Sequence, residues 1–138
     1  MEKFGRSQPV KRVEDLRFLT GHGRFIDDIA PAGAGHVYFL RSNIAHGVIN
    51  ALHVDDARAA PGVRLVLTAA EVLTAGVKMG MKGDRVANID GTKGHAPERP
   101  VIARSHVRFV GEVVAMVVAD SMAQAKDAAE MIGLEIDP

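Results

Sequence analysis

The sequence predicts an α+β domain: a mixed sheet carrying short helices, interrupted by one long loop rich in glycine and lysine. Three observations predict it. The run Val113–Ala119 is apolar at every position, which marks a strand covered on both faces. Short aliphatic segments recur between clusters of turn residues, at strand rather than helix length. Two capping signatures, Thr68 with Glu71 and Ser121 with Gln124, follow directly on such segments and open helices there.

Taken in order, residues 1–30 form a charged N-terminal arm, in which Arg12, Arg17 and Arg24 are interleaved with Glu14, Asp15, Asp27 and Asp28. Ion pairs in such an arm are each worth about 0–1 kcal/mol. Phe18 and Phe25 are costly to leave in water, so the arm is expected to lie across another surface. Gly21-His22-Gly23 opens a turn; it is not a dinucleotide fingerprint, since Ile26 stands at the third glycine position.

The turn cluster at 31–35 begins a second domain, residues 31–138. A strand is predicted over His36–Arg41, a turn over 42–47 and a second strand over 48–54, the two forming a hairpin or a closely packed pair. Asp55 is placed to cap a short helix over 56–60, which Pro61 and Gly62 end. Val63, Leu65 and Leu67 alternate with Arg64, Val66 and Thr68 as a third strand. Residues 74–99 hold five glycines and no sustained periodicity, and a loop of that length points to a functional or disordered segment. Order resumes at Arg99-Pro100, at a sheet edge, because proline cannot donate to a ladder. After a strand near Val107 and a turn comes the buried strand. In the helix that follows, Ala125, Ala128, Ala129 and Ile132 share one face. Gly133 is expected to end it in the left-handed region, before a last strand.

The totals narrow the function. The 138 residues include 17 basic and 17 acidic side chains. That balance argues against general binding to nucleic acid or to an anionic membrane surface. There is no cysteine, which removes disulfides, thiolate metal sites and a cysteine nucleophile from this chain. No apolar run nears the roughly 20 residues of a membrane span. The N-terminus lacks the apolar core of a signal peptide, so a cytoplasmic protein is expected.

No local motif names a chemistry. The six histidines show no metal-ligand spacing. Ser42 lies near His46 but outside any nucleophile elbow. Asp27-Asp28 and Asp55-Asp56 are adjacent, so their carboxylates point apart. The glycine and lysine loop has no phosphate-binding signature.

Several ordered motifs together do carry information: Arg12-Val-Glu-Asp15-Leu-Arg17-Phe-Leu-Thr-Gly21-His-Gly23-Arg24-Phe-Ile-Asp27-Asp28, Leu40-Arg41-Ser42 with Ala45-His46, Pro61-Gly62-Val63, Arg99-Pro100-Val101 and Val107-Arg108-Phe109-Val110-Gly111-Glu112. In this order they resemble the N-terminal part of the large subunit of molybdenum hydroxylases, the group of xanthine dehydrogenase, aldehyde oxidase and carbon monoxide dehydrogenase. The resemblance spans nearly the whole chain. It implies an α/β hammerhead domain with no catalytic, cofactor-binding or metal-binding residue of its own. That domain would support substrate access in an oxidoreductase whose chemistry belongs to the molybdenum–molybdopterin cofactor. The assembled enzyme would also carry 2Fe-2S clusters and FAD. The implied partners are the molybdopterin-binding domains of the large subunit and the iron–sulfur and FAD subunits, with a homo-oligomer left open. Arg24, Asp27, Arg41, His46, Arg108 and Glu112 are the polar motif positions expected at domain contacts. Lys78, Met79, Met81 and Lys82, in the loop 76–97, are the candidates for lining a substrate funnel. A free-standing module of the same fold, binding a small ligand or a protein, is the alternative. His22, Asn43, Ile44, Gly47 and Val113 depart from the usual pattern at turns and a strand start, which leaves the fold expectation standing and the subfamily open.

Overall fold

The computed structural model describes residues 11–78, 80–81 and 86–138. The chain divides into two compact units, residues 1–34 and 35–138. In the first, a short helix α1 (Asp15–Leu19) is followed by a 3-10 turn over Ile26–Asp28. The Phe18 and Phe25 rings stack in parallel with centroids 5.6 Å apart, and the Arg17 guanidinium lies over Phe18 at 5.2 Å. Each ring thus removes part of the other from water.

The second unit runs β1 (His36–Arg41), β2 (Gly47–His53), α2 (Asp55–Ala59), β3 (Val63–Leu67), α3 (Ala69–Thr74), β4 (Gly80–Met81), β5 (Arg99–Pro100), β6 (His106–Val107), β7 (Val113–Ala119), α4 (Met122–Glu130) and β8 (Gly133–Asp137). The strands form a three-stranded sheet in the order β1-β7-β3, another in the order β6-β2-β8, and a β4-β5 ribbon. The α+β character expected from the sequence is present, and these ladders are all antiparallel.

The predicted pairing of the first two strands as a hairpin is wrong. β1 pairs with β7, and β2 pairs with β6 and β8. The reason is β7 itself. An apolar strand is most stable at the centre of a sheet, with both edges occupied, and β1 and β3 take those two places. The connection 42–46 therefore passes between sheets.

The burial of β3 does not follow the alternation of its sequence. Val66 is 3% exposed and Leu65 is 45% exposed, the reverse of the simple alternation. The pairing to β7 shifts between Val63 and Leu65, so Val63 faces Ala119 while Leu65 faces Val118. One extra residue flips every later side chain to the other side of the sheet, and sequence alternation does not reveal it.

The main core lies on one face of the central sheet. Val66, Ala115, Val117 and Ala119 pack there with Val54, Ala57, Ala125, Ala128, Ala129 and Ile132, and with the partly buried Tyr38 and Leu40. The small alanine stripe lets α4 lie close to the strands. Ser121 caps α4 by accepting from Gln124 N at 3.2 Å, and its hydroxyl donates to Gln124 Oε1. The expected return bond from Gln124 to the backbone is replaced by this side-chain pair. Gly62 explains why: at φ 78° it presents bare backbone to the Gln124 amide, which a Cβ would meet at 2.3 Å.

Two further boundaries differ. The second helix starts at Asp55 with Val54 as its uncapped N-cap residue, so Asp55 and Asp56 act on the helix dipole from the first turn. Gly133 is the first residue of β8 and does not adopt a positive φ, since α4 already ends at Glu130 with Met131 as its C-cap. The loop 74–99 is more ordered than expected among its described residues: Gly80 and Met81 pair with Pro100 and Arg99, and Ala87 bridges Lys93.

The Thr68 and Glu71 capping box forms as read from the sequence, and Arg58 reaches across from α2 to Glu71. These donors, with the Thr68 hydroxyl foremost, lower the Glu71 carboxyl from 4.5 to about 2. A depressed carboxylate stabilises the fold above its unfolded pKa and loses that contribution as pH falls towards the folded value. Glu71→Gln is therefore expected to cost about 1 kcal/mol at pH 7, a figure reduced for solvent screening. The difference from wild type should shrink between pH 4.5 and 2, as followed by urea melts across that range.

Candidate functional site

The motif residues Arg41, Arg108 and Glu112 converge on one turn. The segment 108–112 joins β6 to β7, and Glu112 N donates to the Phe109 carbonyl at 3.2 Å to close it. Gly111 sits at φ 89°, a conformation that suits glycine and not a side-chain-bearing residue. Three long-range bonds then fix the turn to the end of β1. Gly111 N donates to the Ser42 carbonyl at 2.8 Å, Ser42 N donates to the Glu112 carbonyl at 2.9 Å, and Arg41 Nη1 donates to the Gly111 carbonyl at 2.8 Å.

Glu112 is the buried charge of the site, 4% exposed. Its Oε2 accepts from Arg108 N at 2.5 Å, and its Oε1 faces Arg108 Nη1 at 3.4 Å. Arg108 Nη1 also donates to the His106 carbonyl at 3.2 Å. Charge-assisted bonds of this kind are the strong ones. They hold the carboxylate against its own turn. Ser42 is likewise buried. Its hydroxyl donates to the Ile44 carbonyl at 2.9 Å and accepts from Ile44 N at 3.0 Å, so it is not directed at His46.

Two clefts of about 290 Å³ each flank Arg108. One is lined by Pro97, Glu98, Pro100, Arg104, Ser105 and Arg108, the other by Pro97, Glu98, Arg99, Pro100, Arg108, Phe109 and Glu112. Arg104 pairs with Glu98 across the first at 3.7 Å. Both clefts share Pro97, Glu98 and Pro100 as lining.

The other predicted residues are elsewhere. His46 is exposed, with its ring 6.5 Å from that of His106. Arg24 and Asp27 belong to the 1–34 unit, where Asp28 and not Asp27 accepts from Phe25 N, at 2.8 Å. Lys78 and Met81 are exposed, Met81 on β4; Met79 and Lys82 lie outside the described residues. Ser42 and Gly111 were missed as members of this contact. The only sequence signal for them was their place in the motifs Leu-Arg-Ser and Val-Gly-Glu.

Among the described residues, no three His, Asp or Glu side chains come together to hold an ion. No described helix is long and apolar enough to cross a membrane.

Residues 20–138 match the family model described as "Aldehyde oxidase and xanthine dehydrogenase, a/b hammerhead domain". The nicotine 6-hydroxylase large subunit of Paenarthrobacter nicotinovorans is 38% identical over 130 residues, covering 93% of this chain and 15% of that protein. Among solved structures, quinoline 2-oxidoreductase from Pseudomonas putida 86 aligns with a TM-score of 0.82 and 42% identity, over 93% of this chain and 16% of that one. The Cu,Mo-CO dehydrogenase in its carbon monoxide reduced state aligns with a TM-score of 0.76 and 33% identity, over 94% and 15% respectively. The chain thus spans about one sixth of the length of these relatives.

Proposed function

The chain belongs to the aldehyde oxidase and xanthine dehydrogenase a/b hammerhead family, and from that premise we propose that it is a structural and substrate-access domain of a molybdenum-dependent hydroxylase large subunit, inactive by itself. The observation that carries this reading is how the polar motif residues are used. Arg41 bonds to backbone, and Arg108 and Glu112 bond to backbone and to each other, in a turn whose Glu112 is buried while Arg41, Arg108, Phe109 and Val110 are exposed. A site that performs chemistry would instead need an acid, a base or a metal converging on open space.

In this role the domain holds its partner's reaction centre in place and contributes no reacting group. The molybdenum–molybdopterin cofactor would sit in the rest of the large subunit, and electrons would leave through 2Fe-2S and FAD partners. The turn at 108–112 provides a rigid contact. The loop 76–97, with Lys78, Met79, Met81 and Lys82, contributes to the path by which substrate arrives. The exposure of Met81 and Lys78 supports that placement.

The test is complementation. The cofactor-bearing remainder of the quinoline 2-oxidoreductase large subunit is co-expressed with this chain in place of its own equivalent segment. We expect the two to co-purify, and the isolated chain to show no aldehyde or purine oxidation with a dye acceptor. Turnover by the chain alone, or a failure to associate, refutes the reading. Exchanging residues 76–97 between family members should then change relative kcat/KM among substrates while molybdenum content is constant; unchanged ratios would remove the loop from the access role.

A further inference from the structure

The sequence of β7 calls for cover on both faces; the structure packs Val113 and Val114 into two further clusters at its start, but from Ala115 onward it covers one face. The helices cover Tyr38, Leu40, Val66, Ala115, Val117 and Ala119. The opposite face of the same sheet carries two cross-strand rows. Val37 faces Val118, which faces Leu65; Phe39 faces Met116, which faces Leu67. All six are apolar, and none joins any of the described core clusters. Val37, Phe39 and Leu65 are 39%, 42% and 45% exposed. An antiparallel sheet with one wet face normally alternates apolar with polar residues. Here both sets are apolar, and the bulge in β3 is what places Leu65 and Leu67 beside Met116 and Val118.

We propose that this face is a docking surface for an apolar segment of the cofactor-bearing remainder of the large subunit. Size decides the occupant. Strands about 4.8 Å apart and rows about 7 Å apart give a patch on the order of 200 Å². A stable association between separate proteins needs roughly 800 Å² from each partner, so two copies of this chain meeting at this face fall far short. A patch this small holds its partner only within a larger contact or when the two are linked, where effective concentration is high. The relatives are chains of which this one spans 15–16%, and they supply that linkage.

The inference rests on the reading above, and the experiment separates the two. Phe39→Lys and Leu65→Lys are made in this chain and co-expressed with the quinoline 2-oxidoreductase remainder. Both side chains are partly exposed, so each variant alone should melt within a few degrees of wild type. We expect recovery of the complex to fall at least tenfold for either. Should one variant misfold, the chain's lack of cysteine allows a second readout: Phe39→Cys and Leu65→Cys are labelled with a water-soluble maleimide, and labelling should slow at least tenfold in the complex relative to the chain alone. Undiminished assembly and labelling of the variants, with wild type assembling normally, overturns this inference only. Absence of any wild-type complex overturns both readings. A wild-type homodimer that the lysine variants abolish would assign the face to a second copy and overturn it too.

Discussion

Ala128→Leu is expected to destabilise the chain by about 1–3 kcal/mol, the cost of forcing extra methylenes into a packed core. Ala125 and Ala128 are fully buried, and Ala129 nearly so, where α4 lies on the central sheet. A leucine there cannot turn to solvent, because helical side chains point back along their own face. The helix must lift away from Ala115, Val117 and Ala119, and the close contacts along the stripe weaken together. For a chain of this length the melting temperature should fall by roughly 5–10 °C. Ala123→Leu, on the exposed side of the same helix, is the control and should stay within about 0.5 kcal/mol. If both variants melt alike, the alanine stripe does not set the helix–sheet distance.

That stripe was legible in the sequence because it has a period and a cap: Ser121, then Ala125, Ala128, Ala129 and Ile132 at helical spacing. The β7 run was legible for the same kind of reason. What could not be read were features made by pairing. The partners of β7 follow from the whole chain's competition for its two edges. The bulge at β3, which reverses Leu65 and Val66, depends on a register that no local pattern encodes. The site divides in the same way. The motifs identified Arg41, Arg108 and Glu112 by resemblance, but the bonds that unite them span the backbone of Ser42 and Gly111, and backbone groups carry no sequence signature. His46, Arg24 and Asp27 shared the motifs and do not share the turn. The missing cover on Val37, Phe39 and Leu65 could be recognised only by setting the sequence expectation against the structure.

Glu112→Ala should be the most damaging change at the site, at about 1–2 kcal/mol. Arg108 and Glu112 are four apart, and in a helix that spacing would be a surface ion pair worth a few tenths of a kcal/mol. Here Gly111 at φ 89° bends the chain, and the carboxylate turns inward to accept from Arg108 N at 2.5 Å. Removing it leaves that amide without its acceptor; the bond is part-buried, so the cost lies in the lower part of the roughly 1–3 kcal/mol of a buried unsatisfied donor. Arg108→Ala removes the longer contact to Glu112 and the Nη1 bond to the His106 carbonyl, both from a guanidinium that is half exposed, and the backbone donor stays paired. Its cost should be below about 1 kcal/mol. Glu112→Gln keeps an oxygen for the amide and should fall between the two. The order Glu112→Ala, Glu112→Gln, Arg108→Ala in chemical denaturation, with faster hydrogen exchange at the Arg108 amide only in the first, is what a backbone clamp requires. Equal losses for Glu112→Ala and Arg108→Ala would mean that the guanidinium pair, and not the amide, holds the turn against β1.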